Sequence, residues 1–283
     1  MDFKKKMMQS NIVIDESLNY NFCGGNKIRK LNYIIKDKNV YEGLLTYGSK
    51  YSSHCLATAY LGYQKSIKVK LLIVNEDTSI SKYPHLKLAN EFGADISFIG
   101  TENLFEKIEN QKKKHTNFFW INGGGHTIEG LNSYRDWFSE LINKNTALKK
   151  FKNLILPFGT GTTALGIAQG IYDMNLDIKV YGISVARDKA TCIKESSTMV
   201  DTKVLDIIEI DERFSGKYGY SDTAQKTVAL NFFKNYGIFP DPIYNIRVAQ
   251  FLEDRPLKNC IVINTGGQLN SLLNIDYDKG IVE

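Results

Sequence analysis

The sequence predicts an α/β protein whose strands form parallel sheets. From Gly43 onward, short runs rich in β-branched and apolar residues alternate with longer segments of helical periodicity. This alternation is typical of βαβ units. The pattern runs through residues 43–121 and starts again at Leu154, so two α/β lobes are expected, and glycine-rich loops follow several of the strands.

The composition is that of an ordinary folded protein. Of 283 residues, 43% are hydrophobic and 24% are charged, which excludes a disordered, collagen-like or coiled-coil chain. The 36 basic and 31 acidic residues leave a net charge of +5, and the lysines are scattered through both halves, so no nucleic-acid partner is expected. No apolar run reaches the ~18 residues of a membrane helix, and no apolar targeting segment follows Met1. A cytoplasmic protein without a membrane partner is expected.

The cysteines and histidines show none of the spacings that bind metal ions. The four cysteines lie far apart and include no C-x-x-C pair, so neither a zinc site nor a disulfide framework is expected. The four histidines form no H-E-x-x-H pattern. The sequence therefore predicts no metal site.

Residues 43–121 contain the first set of strands and helices. Each strand is a short run that contains apolar residues, and each helix carries apolar residues at helical spacing, with Gly93 expected to end one of them. The predicted strands are 44–47, 69–74, 95–99 and 117–121, and the predicted helices are 54–63, 85–92 and 103–114.

The second set begins after a polar stretch at 144–152, which is predicted to be the crossing between the lobes. A strand at 154–156, a helix at 163–172 and a strand at 178–183 follow in the same rhythm. Near the C-terminus, residues 260–264 form a last apolar strand before Gly266-Gly267.

A loop of glycine and threonine residues between strand 154–156 and helix 163–172 predicts anion binding. Gly159-Thr160-Gly161-Thr162-Thr163 offers a backbone that can approach a phosphate, hydroxyl donors and a helix N-terminus. The G-K-[ST] of a nucleotide-binding P-loop is absent. A relaxed dinucleotide fingerprint fits 159–164, but no acidic residue follows strand 178–183 to bind a ribose. A plain strand-to-helix turn is the other alternative.

Lys27 stands at the start of a predicted helix. It follows Gly24-Gly25-Asn26, and helical spacing places Ile28, Leu31, Ile34 and Ile35 on one apolar stripe. The positive end of a helix lowers the pKa of a lysine, and a partly neutral amine suits Schiff-base chemistry. The alternative is a solvated lysine beside Arg29 and Lys30.

Two further loops follow strands and carry polar or glycine residues. In 47–54, Ser52 and Ser53 can cap a helix or offer hydroxyl and backbone donors to a small carboxylate. In 122–126, three consecutive glycines precede His126 and indicate a backbone that passes very close to another group.

Taken together and in this order, the loops resemble those of fold-type II pyridoxal-phosphate enzymes, most closely the aminocyclopropane-carboxylate deaminase and D-cysteine desulfhydrase family. Gly24-Gly25-Asn26-Lys27 is similar to the motif of the cofactor lysine, and Gly159 to Thr163 resemble the phosphate-binding loop. Tyr51-Ser52-Ser53-His54 is similar to the loop that binds the substrate carboxylate. The resemblance implies pyridoxal phosphate as cofactor and a small amino acid as substrate.

The resemblance also implies residue roles. Catalytic roles fall on Lys27, Ser52, Tyr218 and Tyr244. Cofactor binding falls on Lys27, Asn26, Ser53, Gly159, Thr160, Gly161, Thr162, Thr163, Asn245 and Thr265. Substrate binding falls on Ser52, Ser53, His54 and Gly124.

The fold implied by the resemblance is similar to that of the tryptophan synthase β subunit. It consists of two three-layer lobes with parallel sheets and the cofactor in the cleft between them. Residues 1–37 and 141–283 would form the larger, cofactor-binding lobe, and residues 38–140 the smaller inserted lobe. The resemblance further implies a homodimer.

Two positions depart from the family pattern. Ser53 stands where the family has an Asn that binds the phenolic oxygen of the cofactor, and Asn245 stands where the deaminases have a Glu that protonates the pyridine nitrogen. Neither Asn245 nor Thr265 can supply that charge, and a neutral pyridine is a weaker electron sink. We therefore expect elimination or replacement at the β-carbon in preference to cyclopropane ring opening.

Three functions remain open from the sequence. The first is a lyase that converts a small amino acid to a 2-oxo acid and ammonia, with sulfide as a further product from cysteine. The second is a β-replacement synthase, although the Ser-Gly-Asn-Thr-Gly loop of cysteine synthases is absent at 48–52. The third is a cofactor-binding homologue without turnover, in line with the changes at Ser53 and Asn245.

Overall fold

The computed structural model describes residues 6–8, 11–19, 25–38, 40–216, 223–267 and 269–270. The chain divides into two compact units. Unit 1 comprises Met1–Asp37 and Gly124–Gly266, and unit 2 comprises Lys38–Gly123 and Gly267–Glu283.

Strands and helices alternate through most of the described chain. In order they are β1 (Lys6–Met8), β2 (Asn11–Asp15), α1 (Asn26–Ile34), β3 (Gly43–Ser49), α2 (Ser53–Lys65), β4 (Lys68–Val74), α3 (Pro84–Glu91), β5 (Asp95–Ile99), α4 (Leu104–Lys114), β6 (Phe118–Ile121), α5 (Ile128–Lys144), β7 (Asn153–Phe158), α6 (Thr162–Asp173), β8 (Lys179–Ser184), α7 (Lys189–Ser196), α8 (Thr202–Leu205), β9 (Ile208–Asp211), α9 (Thr223–Tyr236), α10 (Asn245–Asp254) and β10 (Cys260–Asn264).

Unit 1 is built on a six-stranded sheet in the order β1-β2-β10-β7-β8-β9. In this order, β2, β10, β7, β8 and β9 each pair in parallel with the next strand. Strand β1 at the edge of this sheet runs antiparallel to its neighbour β2. An antiparallel edge strand on an otherwise parallel sheet is common in large α/β folds.

The sheet of unit 1 is covered on both faces, so the expected three-layer arrangement is confirmed. Successive residues of a strand point to opposite faces. Accordingly, Leu154 and Leu156 of β7 pack in the same buried cluster as residues of α5 and α6, such as Phe138. Ile155 packs instead with residues of α9 and α10, such as Phe251.

Unit 2 is a four-stranded parallel sheet in the order β5-β4-β3-β6. One side of it packs on α4, where Ile108 joins Leu45 and Leu72 in a buried cluster. Helix α2 contacts β3 and β4 and also packs on α3. The strands and helices expected between residues 43 and 121 are therefore all present, with small shifts at their ends.

The chain passes between the units at positions that differ in part from the expectation. It leaves unit 1 after Asp37, returns at Gly124 and not at residue 141, and leaves again after Gly266, whereas the larger lobe was expected to continue to residue 283. The reason is helix α5, which packs on α6 and α1. The stretch 144–152 is not a crossing, because Leu148 and Phe151 are buried in the core of unit 1.

None of the helices in the described ranges is both long enough and apolar enough to cross a membrane.

Candidate active site

The glycine and threonine loop lies at the switch point of the unit 1 sheet. The chain continues from β7 through α6 to β8 on one side, whereas β10 lies on the other side of β7. Ligands of open α/β sheets bind outside the carboxyl ends of the strands at such a point. Residues 159–163 after β7 and 265–266 after β10 both occupy that edge.

The backbone of this loop requires glycine at position 161. Gly161 precedes the first turn of α6 with φ of +80°, and a Cβ there would lie 2.5 Å from Phe158 Cζ. No side chain of the loop caps the N-terminus of α6. The N–H groups of this turn are therefore available to an anion.

The threonines of the loop contact other predicted site residues. Thr162 Oγ1 bonds to Thr160 Oγ1 at 3.1 Å and to His126 Nδ1 at 2.8 Å. Gly124 packs directly on this loop, because a Cβ at Gly124 would lie 2.9 Å from Thr160 Cγ2. The structure thus places Gly124 and His126 beside the anion-binding loop.

Lys27 is the second residue of α1 and is partly buried. Its Nζ donates to Asn26 Oδ1 at 3.0 Å and lies 5.2 Å from the centre of the Tyr244 ring. Removal from water lowers the pKa of Lys27 to about 8, although the negative charge of Asp241 opposes this shift. An appreciable fraction of this amine is therefore neutral at physiological pH, as Schiff-base chemistry requires.

Lys30 is a functional candidate that the sequence reasoning missed. Its side chain is buried, and its Nζ donates to the carbonyl oxygen of Gly124 at 2.5 Å. Burial and the charge of Lys27 lower the pKa of Lys30 well below its usual value. No role was assigned to it from the sequence. Its position three residues after Lys27, one helical turn away, was the available signal.

Arg29 holds helix α1 in place through a buried carboxylate. Glu16 is fully buried and accepts two hydrogen bonds from Arg29, at 2.8 and 2.9 Å. It also accepts a hydrogen bond from Tyr134 of α5 at 2.7 Å. The Arg29 guanidinium lies over the rings of Tyr134 and Trp137. These contacts attach α1 to the end of β2 and to α5.

Tyr244, Asn245 and Thr265 lie at the same edge of unit 1. A Cβ at Gly159 would lie 3.2 Å from Tyr244 Cε1, so this ring packs on the glycine and threonine loop. Asn245 is buried and bonds to Asp241, Thr265 and Gly266. Tyr218, which was assigned a catalytic role, lies outside the described residues.

In unit 2 the serine loop also lies at a switch point, at the carboxyl end of β3 and between β4 and β6. Ser52 caps α2, because its Oγ accepts from Cys55 N at 3.1 Å, and Ser53 is the first residue of the helix. His54 is buried in unit 2, where its Nε2 lies 2.9 Å from Thr46 Oγ1. Thr46 Oγ1 itself donates to the Ile121 carbonyl, so His54 binds within the sheet of unit 2.

The chain belongs to the family of pyridoxal-phosphate dependent enzymes. The sequence pattern of that family matches residues 4–253.

Relatives and solved structures agree with this assignment. The chain is 25% identical over 289 residues to the mitochondrial bifunctional D-cysteine desulfhydrase/1-aminocyclopropane-1-carboxylate deaminase of Arabidopsis thaliana, covering 90% of this chain and 70% of that protein. It is 22% identical over 276 residues to D-cysteine desulfhydrase of Salmonella typhi, covering 86% and 82%. The crystal structure of an ACC deaminase homologue superposes with a TM-score of 0.73 at 21% identity, covering 90% of this chain and 84% of that one.

The residues of unit 1 fit pyridoxal phosphate. Lys27 offers a depressed pKa for the aldehyde, and residues 159–163 offer backbone and hydroxyl donors for the phosphate. Lys30 adds a buried amine beside that loop, through its bond to Gly124. A dianionic phosphate would favour the charged form of Lys30.

Proposed function

We propose that this protein is a pyridoxal-phosphate dependent lyase that converts a small amino acid with a leaving group on its β-carbon to a 2-oxo acid and ammonia. For cysteine the balanced reaction consumes one water and releases pyruvate, hydrogen sulfide and ammonia. The observation that carries the proposal is Lys27, an amine with a pKa of about 8 whose neighbour Asn26 bonds to Thr163 of the anion-binding loop.

Each part of unit 1 has a defined task in this proposal. The cofactor supplies an electron sink for the carbon from which a proton is removed. Residues 159–163 and Lys30 would hold its phosphate, and Lys27 Nζ would hold its aldehyde group. Lys27 Nζ would also be the base that accepts a proton from the substrate carbon. The Tyr244 ring, 5.2 Å from Nζ, restricts the position of that amine.

The serine loop of unit 2 has a separate task. We propose that Ser52 and Ser53 bind the substrate carboxylate through their hydroxyls and through N–H groups at the start of α2. The backbone of Gly48 lies close to the side chain of Ser52, because a Cβ at position 48 would lie only 2.5 Å from Ser52 Oγ. In this proposal His54 holds the start of α2 against β3 through its hydrogen bond to Thr46.

Between the two activities in the names of the relatives, we propose elimination. Position 245 carries a neutral Asn where the deaminases have a Glu, and the nearby Thr265 is also neutral. Neither side chain would protonate the ring nitrogen of the cofactor, and a neutral ring would stabilise carbanions less. Elimination of a good β-leaving group tolerates this better than ring opening. Robust ring opening of 1-aminocyclopropane-1-carboxylate would contradict this part of the proposal.

The test is a comparison of the purified protein with the variants Lys27→Ala and Lys36→Ala. Lys36 is an exposed lysine just after α1 and serves as the control. With added pyridoxal phosphate, the wild type and Lys36→Ala should show the visible band of a lysine-bound cofactor, and Lys27→Ala should not. The same three proteins are then assayed for 2-oxo acid and sulfide with D- and L-cysteine, D- and L-serine and 1-aminocyclopropane-1-carboxylate.

The outcomes separate the alternatives. Release of 2-oxo acid that depends on Lys27 supports the lyase. A new amino acid formed only with an added thiol or amine nucleophile indicates a β-replacement synthase. Bound cofactor without turnover on the whole panel indicates a binding protein. A band that persists in Lys27→Ala contradicts the assignment of the lysine.

We propose in addition that the protein is a homodimer, which rests on the resemblance of the loops to those of the family, and that it acts in the cytoplasm, as expected from its sequence. Light scattering during gel filtration tests the assembly, because one chain has a mass of 32.1 kDa. A particle of that mass would contradict the dimer. Fractionation of source cells tests the location.

A further inference from the structure

The side chain of Asn245 uses all of its hydrogen-bonding capacity inside the protein. Its Nδ2 donates to Asp241 Oδ2 at 2.6 Å and to the Gly266 carbonyl at 2.7 Å. Its Oδ1 accepts from Thr265 N at 3.0 Å and from Thr265 Oγ1 at 3.4 Å. A side-chain amide has two N–H donors and two lone pairs, so none is left for a ligand.

One end of this arrangement is the turn that begins α10. Asp241 is buried, and its carboxylate accepts hydrogen bonds from the backbone N–H groups of Ile243, Tyr244 and Asn245 at 2.9 to 3.0 Å. Several donors converging on one buried carboxylate hold the turn in a single conformation. The position of the Asn245 side chain is therefore defined by its own turn.

The other end is the first turn of α1. The Thr265 carbonyl accepts from Asn26 N at 3.0 Å, and Gly25 and Gly266 form an antiparallel bridge. The two segments lie so close that a Cβ on Gly25 would be 2.5 Å from the Thr265 oxygen. Because Lys27 follows directly, the segment 265–266 determines where α1 and its lysine begin.

We propose that Asn245 is a positioning residue for Lys27, which it holds through the backbone of Thr265 and Gly266, and that it makes no contact with the cofactor. The residue at the position of the family's Glu thus serves this chain in another way. The functional meaning of Lys27 rests on the proposed function, but the coupling between Asn245 and Lys27 does not.

The coupling has a consequence for the amine of Lys27 in the protein without cofactor. Replacing Asn245 with Leu, which has a similar volume, removes the partners of Thr265 N and the Gly266 carbonyl. These buried groups must then find other partners, so the segment shifts and the start of α1 loosens. Water gains access to the amine, and its pKa moves from about 8 towards the ordinary value of 10.5.

The test is competitive acetylation of the apoprotein with acetic anhydride at a series of pH values, with the modification of Lys27 read by mass spectrometry. Only the neutral amine reacts, so the midpoint of the pH profile reports its pKa. Asn11→Leu is the matched control, because Asn11 is a buried asparagine at the opposite end of β10, where it bonds to Leu257 O and Cys260 N. Asn245→Ala is a second variant with less steric demand.

We expect the Lys27 midpoint to rise by about half a pH unit or more in Asn245→Leu and in Asn245→Ala, and to stay unchanged in Asn11→Leu even where that control is equally destabilised. An unchanged midpoint in both Asn245 variants would overturn the proposal. If instead those variants shift only the absorption maximum of added pyridoxal phosphate, Asn245 contacts the cofactor directly and the proposal is wrong. If the protein fails to bind pyridoxal phosphate, the proposed function fails while the acetylation result stands.

Discussion

Asn26 Nδ2 donates a hydrogen bond to Thr163 Oγ1 at 3.1 Å. The same side chain accepts from Lys27 Nζ through Oδ1 at 3.0 Å. One residue therefore sets the distance between the reactive amine and the start of α6, where the phosphate of the cofactor is proposed to bind. The cofactor would be held at both points, so its attachment at Lys27 and the binding of its phosphate would both depend on this distance.

We predict that Asn26→Ala weakens cofactor binding by about 2- to 10-fold, the equivalent of one hydrogen bond of roughly 0.5–1.5 kcal/mol. The dissociation constant is measured by titrating the apoprotein with pyridoxal phosphate and following its visible band. Asn32→Ala, a change of the same kind on the same helix, should leave the constant unchanged. Equal effects of both changes would mean that Asn26 supports only the helix.

The depressed pKa of Lys27 predicts that the reactive lysine destabilises the fold at neutral pH. In the unfolded chain the amine titrates near 10.5, whereas in the folded chain it titrates near 8. At pH 7 both states carry the charge, and the folded state bears the cost of burying it. Lys27→Met should therefore raise the free energy of unfolding of the apoprotein at pH 7 by about 1–3 kcal/mol.

The increase in the free energy of unfolding caused by Lys27→Met should disappear as pH rises from 8 to 10.5. In that range the unfolded wild-type chain binds more protons than the folded one, so the wild type becomes more stable relative to Lys27→Met. Urea unfolding at pH 7 and pH 10 measures the difference, with Lys36→Met as the exposed control. A loss of stability in Lys27→Met that is equal at both pH values would refute the buried ammonium.

The buried ion pair of Glu16 and Arg29, which attaches α1 to the end of β2, should contribute strongly to the free energy of unfolding. Glu16→Gln leaves the Arg29 guanidinium without its carboxylate in a site where the Arg29 side chain is only 12% exposed. We expect a loss of about 3 kcal/mol in the free energy of unfolding. The comparison is Glu140→Gln, which breaks the exposed pair with Lys144 and should cost under about 0.5 kcal/mol. Similar losses from both changes would show that burial does not strengthen the Glu16 pair.

Gly161 and Gly93 allow a matched comparison of how steric crowding around an added Cβ affects stability. Both have a left-handed backbone, with φ of +80° and +81°, but a Cβ at Gly93 meets nothing within 4 Å. Gly93→Ala should therefore cost only the conformational term of about 1–2 kcal/mol. Gly161→Ala adds the clash with Phe158 and should cost roughly 1–3 kcal/mol more. Thermal unfolding of the two variants measures the difference, and equal costs would exclude the crowding.

The strands of unit 2 could be predicted because their signal is local. Parallel strands buried by helices are continuous apolar runs, as in residues 71–74 of β4, and both β4 and β5 stand between clear helical patterns. The 17 residues of α5 were missed, and the polar stretch after it was taken for a linker. Its buried residues Leu148 and Phe151 become evident only when the packing on α5 is known.

The site was predictable where its loops follow strands, and not where side chains meet across the chain. The glycine and threonine loop and Lys27 have recognisable neighbours in the sequence. The burial of Lys30 depends on the carbonyl of Gly124, and the saturated side chain of Asn245 depends on Thr265 and Gly266. Such contacts join distant segments, so local patterns do not contain them.

The bridge between Gly25 and Gly266 also bears on when the protein acquires its chemistry. Lys27 precedes β10 in the chain, and β10 lies between β2 and β7 in the sheet. We expect the amine to keep the ordinary pKa of a hydrated lysine until β10 has taken that place during folding. The reactive amine therefore forms together with the centre of the sheet.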